Sequence, residues 1–268
     1  MTFDLVIIGG GRMGGALAEG LIDAQWCPSS RMAVIEQSVE TRTSLASRLP
    51  GVAVLPALEL EHVGPETGAV LAVKPENAEV AARTVGACGV RRVMSVVAGL
   101  STDRLGAVMP QGVAVVRAMP NTPVLVRKGV SAIAGGVTAT SDDLEWASSI
   151  LGSVGSVVRV TERNIDAVTG VSGCGPAFIY LVAEALIEAG VHQGLTREMS
   201  RELVVGTMAG AAQMLEQTGQ SAEELRAHVT SHGGATAAGL RMLESRAVRG
   251  AFLEAVAASA ERSRQLGK

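Results

Sequence analysis

The feature that most constrains this chain is its opening run, Asp4-Leu5-Val6-Ile7-Ile8-Gly9-Gly10-Gly11-Arg12-Met13-Gly14. Four consecutive apolar residues, Leu5 to Ile8, predict a strand buried on both faces. Gly9, Gly11 and Gly14 then give the spacing G-x-G-x-x-G, and Met13, Leu17 and Leu21 follow at i+4 intervals. Strand, glycine turn and helix in that order read as a dinucleotide-binding unit. Gly9 permits the tight turn, Gly11 lets a pyrophosphate reach the backbone, and Gly14 lets the helix lie close on the sheet. The start of the helix, at Arg12 and Met13, presents unpaired N–H groups to the phosphates. The competing reading is a glycine-rich turn without a ligand; the flanking strand and helix favour the nucleotide.

A chain of 268 residues has room for two domains, and 47% hydrophobic residues supply a large core. Aromatics are only 2%, so that core is built from Val, Ala, Leu, Ile and Met. A net charge of −3 with no long basic run argues against a nucleic-acid partner. Cys27, Cys88 and Cys174 form no C-x-x-C pair, which fits a reducing cytoplasm and no metal site. The chain enters its first strand without a basic leader, so no signal peptide is expected. The longest apolar stretch, Phe178 to Ala189, is interrupted by Glu184 and Glu188. It reads as too short and too charged to cross a membrane.

The first half alternates strands and helices. Further strands are predicted at Met32 to Ile35, Val52 to Leu55, Val70 to Val73, Val93 to Val97 and Val113 to Val116. This β-α-β order predicts a Rossmann-type, doubly wound, open parallel sheet. Ligands of such sheets bind beyond the carboxyl ends of the strands. The segments after each strand, with Ala72-Val73-Lys74-Pro75, Ala98-Gly99 and Asn121 among them, are therefore the candidate cofactor rim. From about Thr161 the apolar period becomes helical: Phe178, Leu181, Val182, Ala185, Leu186 and Ala189, then Val204, Met208, Ala211 and Leu215, then Val248, Phe252 and Val256. Thr196 and Ser221 are expected N-caps, and Ser221 with Glu224 fits a capping box. The chain is thus an α/β protein, with a dinucleotide-binding domain over 1–160 and an all-helical domain over 161–268. Helices apolar on more than one face suggest a subunit interface, and a tightly packed monomeric bundle is the alternative.

Glu36 closes the second strand, where a carboxylate accepts from a ribose 2′-hydroxyl and favours NADH over NADPH. The alternative is a solvated glutamate, and nearby Arg42 could instead meet a 2′-phosphate. The only lysines are Lys74, Lys128 and Lys268, and the only histidines of the helical half are His192, His228 and His232. Reduction of a ketone ordinarily needs a strong proton donor. A protonated imine is already an electrophile, so this poverty of acids favours a C=N substrate. Ser231-His232-Gly233-Gly234-Ala235-Thr236 places two glycines ahead of a helical run, which makes an anion nest suited to a small carboxylate. A plain loop with an N-cap is the other reading. Ser172-Gly173-Cys174-Gly175-Pro176-Ala177 reads as a turn opening the first long helix.

On these residues the chain resembles pyrroline-5-carboxylate reductase over nearly its full length. The match rests on Gly9 to Gly14, Ala72 to Pro75, Met119-Pro120-Asn121-Thr122-Pro123, Ser172 to Ala177 and Thr230 to Leu240. The resemblance implies an NAD(P)H-dependent imine reductase of proline biosynthesis, with a helical dimerisation domain often assembled as a ring of dimers. It places the cofactor on Gly9, Gly11, Arg12, Met13, Gly14, Glu36, Ala72, Val73, Lys74, Pro75, Ala98, Gly99 and Asn121. It places the pyrroline carboxylate on Val229, Ser231, Gly233, Gly234, Ala235 and Thr236, with Thr236 beside the ring nitrogen as the catalytic residue. His232 stands where the family has Pro, Cys174 where it has Ser, and Leu58 where it often has a polar residue. A β-hydroxyacid dehydrogenase-like oxidoreductase and a weakly active nucleotide-binding scaffold are the rival functions. The first would want a lysine in the helical half.

Overall fold

A computed structural model describes residues 2–267. Met1 and Lys268, the outer limits of the two expected domains, lie outside the described residues. Eight strands form one sheet in the order β3-β2-β1-β4-β5-β6-β7-β8. They are β1 Phe3–Ile8, β2 Met32–Ile35, β3 Ala53–Leu55, β4 Val63–Leu71, β5 Arg92–Ser95, β6 Ala114–Met119, β7 Gly129–Gly135 and β8 Gly155–Arg159. Helices α1 Arg12–Asp23, α2 Val39–Arg48, α3 Ala78–Ala87, α4 Thr102–Val108 and α5 Ser141–Gly152 connect them. The remaining helices are α6 Ile165–Val168, α7 Gly175–His192, α8 Arg197–Thr218, α9 Ala222–His228, α10 Ala235–Ser245 and α11 Val248–Leu266.

Alternation along β1 explains the layers. Leu5 and Ile7 pack with Leu17 and Leu21 of α1, Leu45 of α2 and Ile150 of α5. Val6 and Ile8 point the other way and pack with Ala82 and Val85 of α3 and Leu105 of α4. Both faces of the strand are covered, as its unbroken apolar run requires. Each fully buried Leu or Ile contributes about 1.5–3 kcal/mol relative to exposure, so these two layers dominate the stability of this part of the chain.

The strands expected from the sequence, β1 to β6, pair in parallel throughout; β7, which was not expected, runs antiparallel to β6. The connection between them is the short 3-10 turn Thr122–Val126, ended by Arg127 in the left-handed region at φ 55°. So short a link can reverse the chain but cannot carry the crossover that a parallel neighbour needs. The stretch Ser172 to Ala177 does not open a helix from a loop. A π-helical segment, Thr169–Gly173, links α6 to α7, and Cys174 keeps right-handed helical angles. Pro176 has no N–H to donate, and the wider π turn just before it is where the ladder adjusts.

The chain divides into two compact units, one of Met1–Cys174 with Ala257–Lys268 and one of Gly175–Val256. The second unit is entirely helical. Thr196 caps α8 by accepting from the Met199 N–H, and Ser221 caps α9 in a full capping box with Glu224. Within this unit α7 and α8 meet where Gly190 faces Ser200; a Cβ on the glycine would lie 2.6 Å from the serine Oγ. Among the described residues of this unit no apolar side chain is buried, while Leu181, Leu203 and Leu253 are more than half exposed. Apolar exposure on this scale fits an association surface. The expectation that the Phe178 region is too short and too charged to cross a membrane is also corrected. Residues Glu162–His192 form one helical run that is long and apolar enough by length and composition alone, because the π segment joins α6 to α7.

Candidate functional site

The strand order reverses direction between β1 and β4, and the carboxyl ends of those strands open a cleft of about 440 Å³. This is the switch point at which open α/β sheets hold ligands. Gly9, Gly11, Glu36, Ala72, Val73 and Lys74 all line it, so the structure brings together residues that are up to 65 positions apart. Hydrogen bonds fasten the floor: the Gly9 N–H donates to the Ile35 carbonyl and the Ala72 N–H to the Ile8 carbonyl, each at 2.8 Å.

The three glycines differ in what surrounds them. Gly9 sits at φ +102°, and a Cβ there would lie 2.6 Å from the Ala72 carbonyl oxygen, so both its angle and its neighbour demand glycine. A Cβ on Gly14 would collide with the Gly9 carbonyl, which measures how closely α1 approaches the turn. Around Gly11 nothing lies within 4 Å of a built Cβ, so its bare face opens onto free space beside the cleft. Gly11 caps α1 with no side-chain hydrogen bond and the first turn holds no acid. The leading N–H groups of a 12-residue helix are thus left for an anion. Arg12 is exposed and Met13 half-buried in that same turn.

Glu36 is held in place by the backbone. Its Oε2 accepts from the Gly10 N–H and its Oε1 from the Ser38 N–H, both at 2.9 Å. The carboxylate therefore clasps the glycine turn to the start of α2 and faces the cleft. Arg42 donates Nη1 to the carbonyls of Glu36 and Gln37 at 2.9 and 2.7 Å, which spends part of its guanidinium on the same loop. Gly11's open face, the free amides at the start of α1 and the carboxylate at the end of β2 are groups that fit a dinucleotide.

Other expected rim residues lie elsewhere. Pro75 opens a short 3-10 turn after Lys74. Asn121 is buried, its Nδ2 donating to the Ser172 carbonyl at 3.1 Å and its Oδ1 accepting from the Val130 N–H at 2.9 Å. Ala98 is exposed and Gly99 is buried, outside the lining of the cleft. Sequence reading passed over Gln37, Pro56, Ala57, Asn77, Val80 and Thr84, which complete the cleft wall. Their signal was position: they follow β2, β3 and β4 at the same edge of the sheet.

The second unit carries the other expected site. Val229 ends α9, and Gly233 at φ 69° turns the chain into Gly234, the N-cap of α10. No side chain caps this helix. The Gly234 N–H donates back to the Ser231 carbonyl at 3.1 Å, and a Cβ on Gly234 would strike the Ser231 Oγ. The turn is therefore compact only because both residues are glycine. Ser231, His232, Ala235 and Thr236 are exposed, and Thr236 stands in the first turn of α10 with its leading amides.

A glycine turn at the switch point of a largely parallel sheet, continued by a helical domain, defines a nucleotide-dependent oxidoreductase of the Rossmann type. Comparison with known proteins sharpens that class. Residues 162–266 match the family described as pyrroline-5-carboxylate reductase dimerisation, and residues 4–99 match NADP oxidoreductase, coenzyme F420-dependent. The pyrroline-5-carboxylate reductase of Corynebacterium melassecola is 41% identical, with 98% of each chain covered. A pyrroline-5-carboxylate reductase structure from Coxiella burnetii superposes with a TM-score of 0.92 at 33% identity, covering 100% of both chains. The Plasmodium falciparum pyrroline carboxylate reductase, solved with NADP bound, gives 0.86 at 30% identity over 98% of each. The chain belongs to the pyrroline-5-carboxylate reductase family. It is an NAD(P)H-dependent oxidoreductase that self-associates through its helical domain and acts on a small molecule.

Proposed function

We propose that this chain reduces 1-pyrroline-5-carboxylate to L-proline, the closing step of proline biosynthesis, in the cytoplasm. The observation that carries this reading is the open face of Gly11 beside uncapped α1, with the Glu36 carboxylate bonded to the neighbouring Gly10 N–H, in a chain similar end to end to enzymes of that name. When bound, the reduced nicotinamide supplies the hydride. The amides of Arg12, Met13 and Gly14 hold the pyrophosphate. Gly9, Ala72, Val73 and Lys74 form the wall that orients the nucleotide, and Pro75, Ala98, Gly99 and Asn121 belong to the rim around it. Glu36 accepts from the ribose and tilts the preference toward NADH.

On the substrate side, the amides of Gly233, Gly234 and Ala235 hold the carboxylate, aided by Ser231 and by Val229 at the end of α9. The Thr236 hydroxyl accepts the N–H of the protonated ring nitrogen and orients the imine. Because that nitrogen already carries its proton, no strong side-chain acid is required, in keeping with the absence of lysine from residues 161–267.

A division of labour at residue 160, nucleotide before and assembly after, is supported by the dimerisation match that begins at 162. The exposed apolar faces of α7, α8 and α11 are covered by a second subunit, not by lipid, and the dimers close into a ring. The reading is tested by following NAD(P)H oxidation at 340 nm with the pyrroline. Turnover supports it. Turnover only with β-hydroxyacids would favour a β-hydroxyacid dehydrogenase, and nucleotide binding without turnover a scaffold.

A further inference from the structure

Gly99 is buried, and what buries it is the end of the last helix. A Cβ on Gly99 would lie 3.0 Å from the Leu266 Cβ and 3.1 Å from its carbonyl carbon, and Gly99 itself sits at φ +74°. From the other side, a Cβ on Gly267 would lie 2.7 Å from the Gly99 carbonyl oxygen. The segment after β5 therefore carries a glycine so that the end of α11 can seat on it. The neighbouring α4 supplies the fastening. Arg104 donates Nη1 to the Gly267 carbonyl at 3.0 Å and Nη2 to Glu79 Oε1 on α3 at 2.7 Å. That hydrogen bond, with Arg83 alongside, holds the Glu79 carboxyl below the usual carboxylate range. Helix α3 also lends Val80, Ala81 and Thr84 to the cleft wall.

A second anchor lies one turn earlier. The Ser263 hydroxyl donates to Asp166 Oδ1 at 2.7 Å, and buried Arg117 of β6 pairs with Glu162 at 2.9 Å. The same Glu162 Oε1 accepts the Thr102 N–H at the start of α4. Both fastenings converge on residues 98–104.

We propose that Arg104 is a positioning residue for the cofactor rim: by tying α3 to the last turn of α11 it seats Leu266 on Gly99 and fixes the segment from Val97 to Ser101. This rests on the assignment of Ala98 and Gly99 to the rim made above. No role in hydride transfer follows, since Arg104 acts only through the segment it holds.

The test uses full-length Arg104→Ala, Arg104→Lys and Glu79→Gln, each compared with wild type. Two readouts are taken: amide hydrogen exchange over 97–101 in the nucleotide-free protein, and dissociation constants for NADH and NADPH by fluorescence titration. An exposed ion pair is modest in strength, so Arg104→Ala is expected to weaken nucleotide binding by about threefold. Exchange at 97–101 should quicken, the KM for the pyrroline should stay unchanged, and Arg104→Lys should recover part of both effects. Faster exchange with unaltered nucleotide affinity overturns the proposal, because the strap then holds something other than the rim. Unaltered exchange overturns it as well, whatever the affinity. A wild-type chain inactive on the pyrroline would refute the proposed reaction and leave the exchange result standing, so the two failures are distinguishable.

Discussion

Replacing Glu36 by serine removes two things at once, and the structure separates their sizes. The first is the clasp. Gly10 and Ser38 each lose an ionised acceptor at 2.9 Å. A hydrogen bond to a charged group is worth about 1.5–3 kcal/mol, and less where water can replace it, as at Ser38. A loss of about 1–2 kcal/mol in stability follows, with both cofactors weakened through the glycine turn. The second is charge. Two like charges about 5 Å apart at an effective dielectric of about 20 repel by about 3 kcal/mol, so a 2′-phosphate gains more than a 2′-hydroxyl loses. Glu36→Ser should therefore raise kcat/KM for NADPH relative to NADH by about tenfold to a hundredfold, even as the absolute value for NADH falls. Glu36→Gln should shift selectivity in the same direction and preserve more of the melting temperature, since its amide keeps one acceptor. The assay is steady-state kinetics with both cofactors, alongside thermal melting. A wild type that already prefers NADPH by tenfold, about 1.4 kcal/mol, would refute the reasoning.

Three further outcomes are expected. Thr236→Ala should lower kcat/KM for the pyrroline at least tenfold, from a lost bond of about 1.5–3 kcal/mol, with Thr236→Ser milder and nucleotide affinity unchanged; His232→Pro should tighten substrate binding by stiffening the loop. Normal pyrroline kinetics with weakened nucleotide binding in Thr236→Ala would show that this loop serves the other ligand. Leu253→Glu, at a position 74% exposed on α11, should convert the oligomer to smaller species by light scattering, and an unchanged mass would exclude that face from the interface. Glu79 has a carboxyl lowered by the Arg104 hydrogen bond, so its contribution to stability is present above the ordinary value of 4.5 and is lost as pH falls through the lower folded value. The difference in melting temperature between wild type and Glu79→Gln should accordingly shrink toward zero on acidification below 4.5, and a constant difference would contradict the pairing.

What could be read from the sequence was local. The strand, glycine turn and helix at Phe3 to Asp23 lie within one short stretch, and Ser221 with Glu224 declares a cap four residues long. Glu36 was legible as the end of a strand, but its clasp on Gly10 was not, because the two residues are 26 positions apart. β7 and β8 escaped notice for different reasons. Gly129–Gly135 is a short run bounded by glycines, and Gly155–Arg159 lies at the sheet edge with exposed Val158. The π segment has no compositional signature, since Thr169–Gly173 reads as a turn unless α6 is known to continue through it. Gly99 is the most instructive residue. Its place after a strand suggested the cofactor rim, and its missing Cβ also makes room for Leu266, a contact across most of the chain that the local sequence does not announce.

Hydride delivery to an imine carbon is read out by isotope transfer. The enzyme would be supplied with 1-pyrroline-5-carboxylate and nicotinamide cofactor carrying deuterium at C4 on the transferred face, and the product analysed by mass spectrometry. L-proline should form with one deuterium at C5 and none elsewhere. Cofactor oxidation without label in proline, or no proline at all, would contradict hydride delivery to the imine carbon.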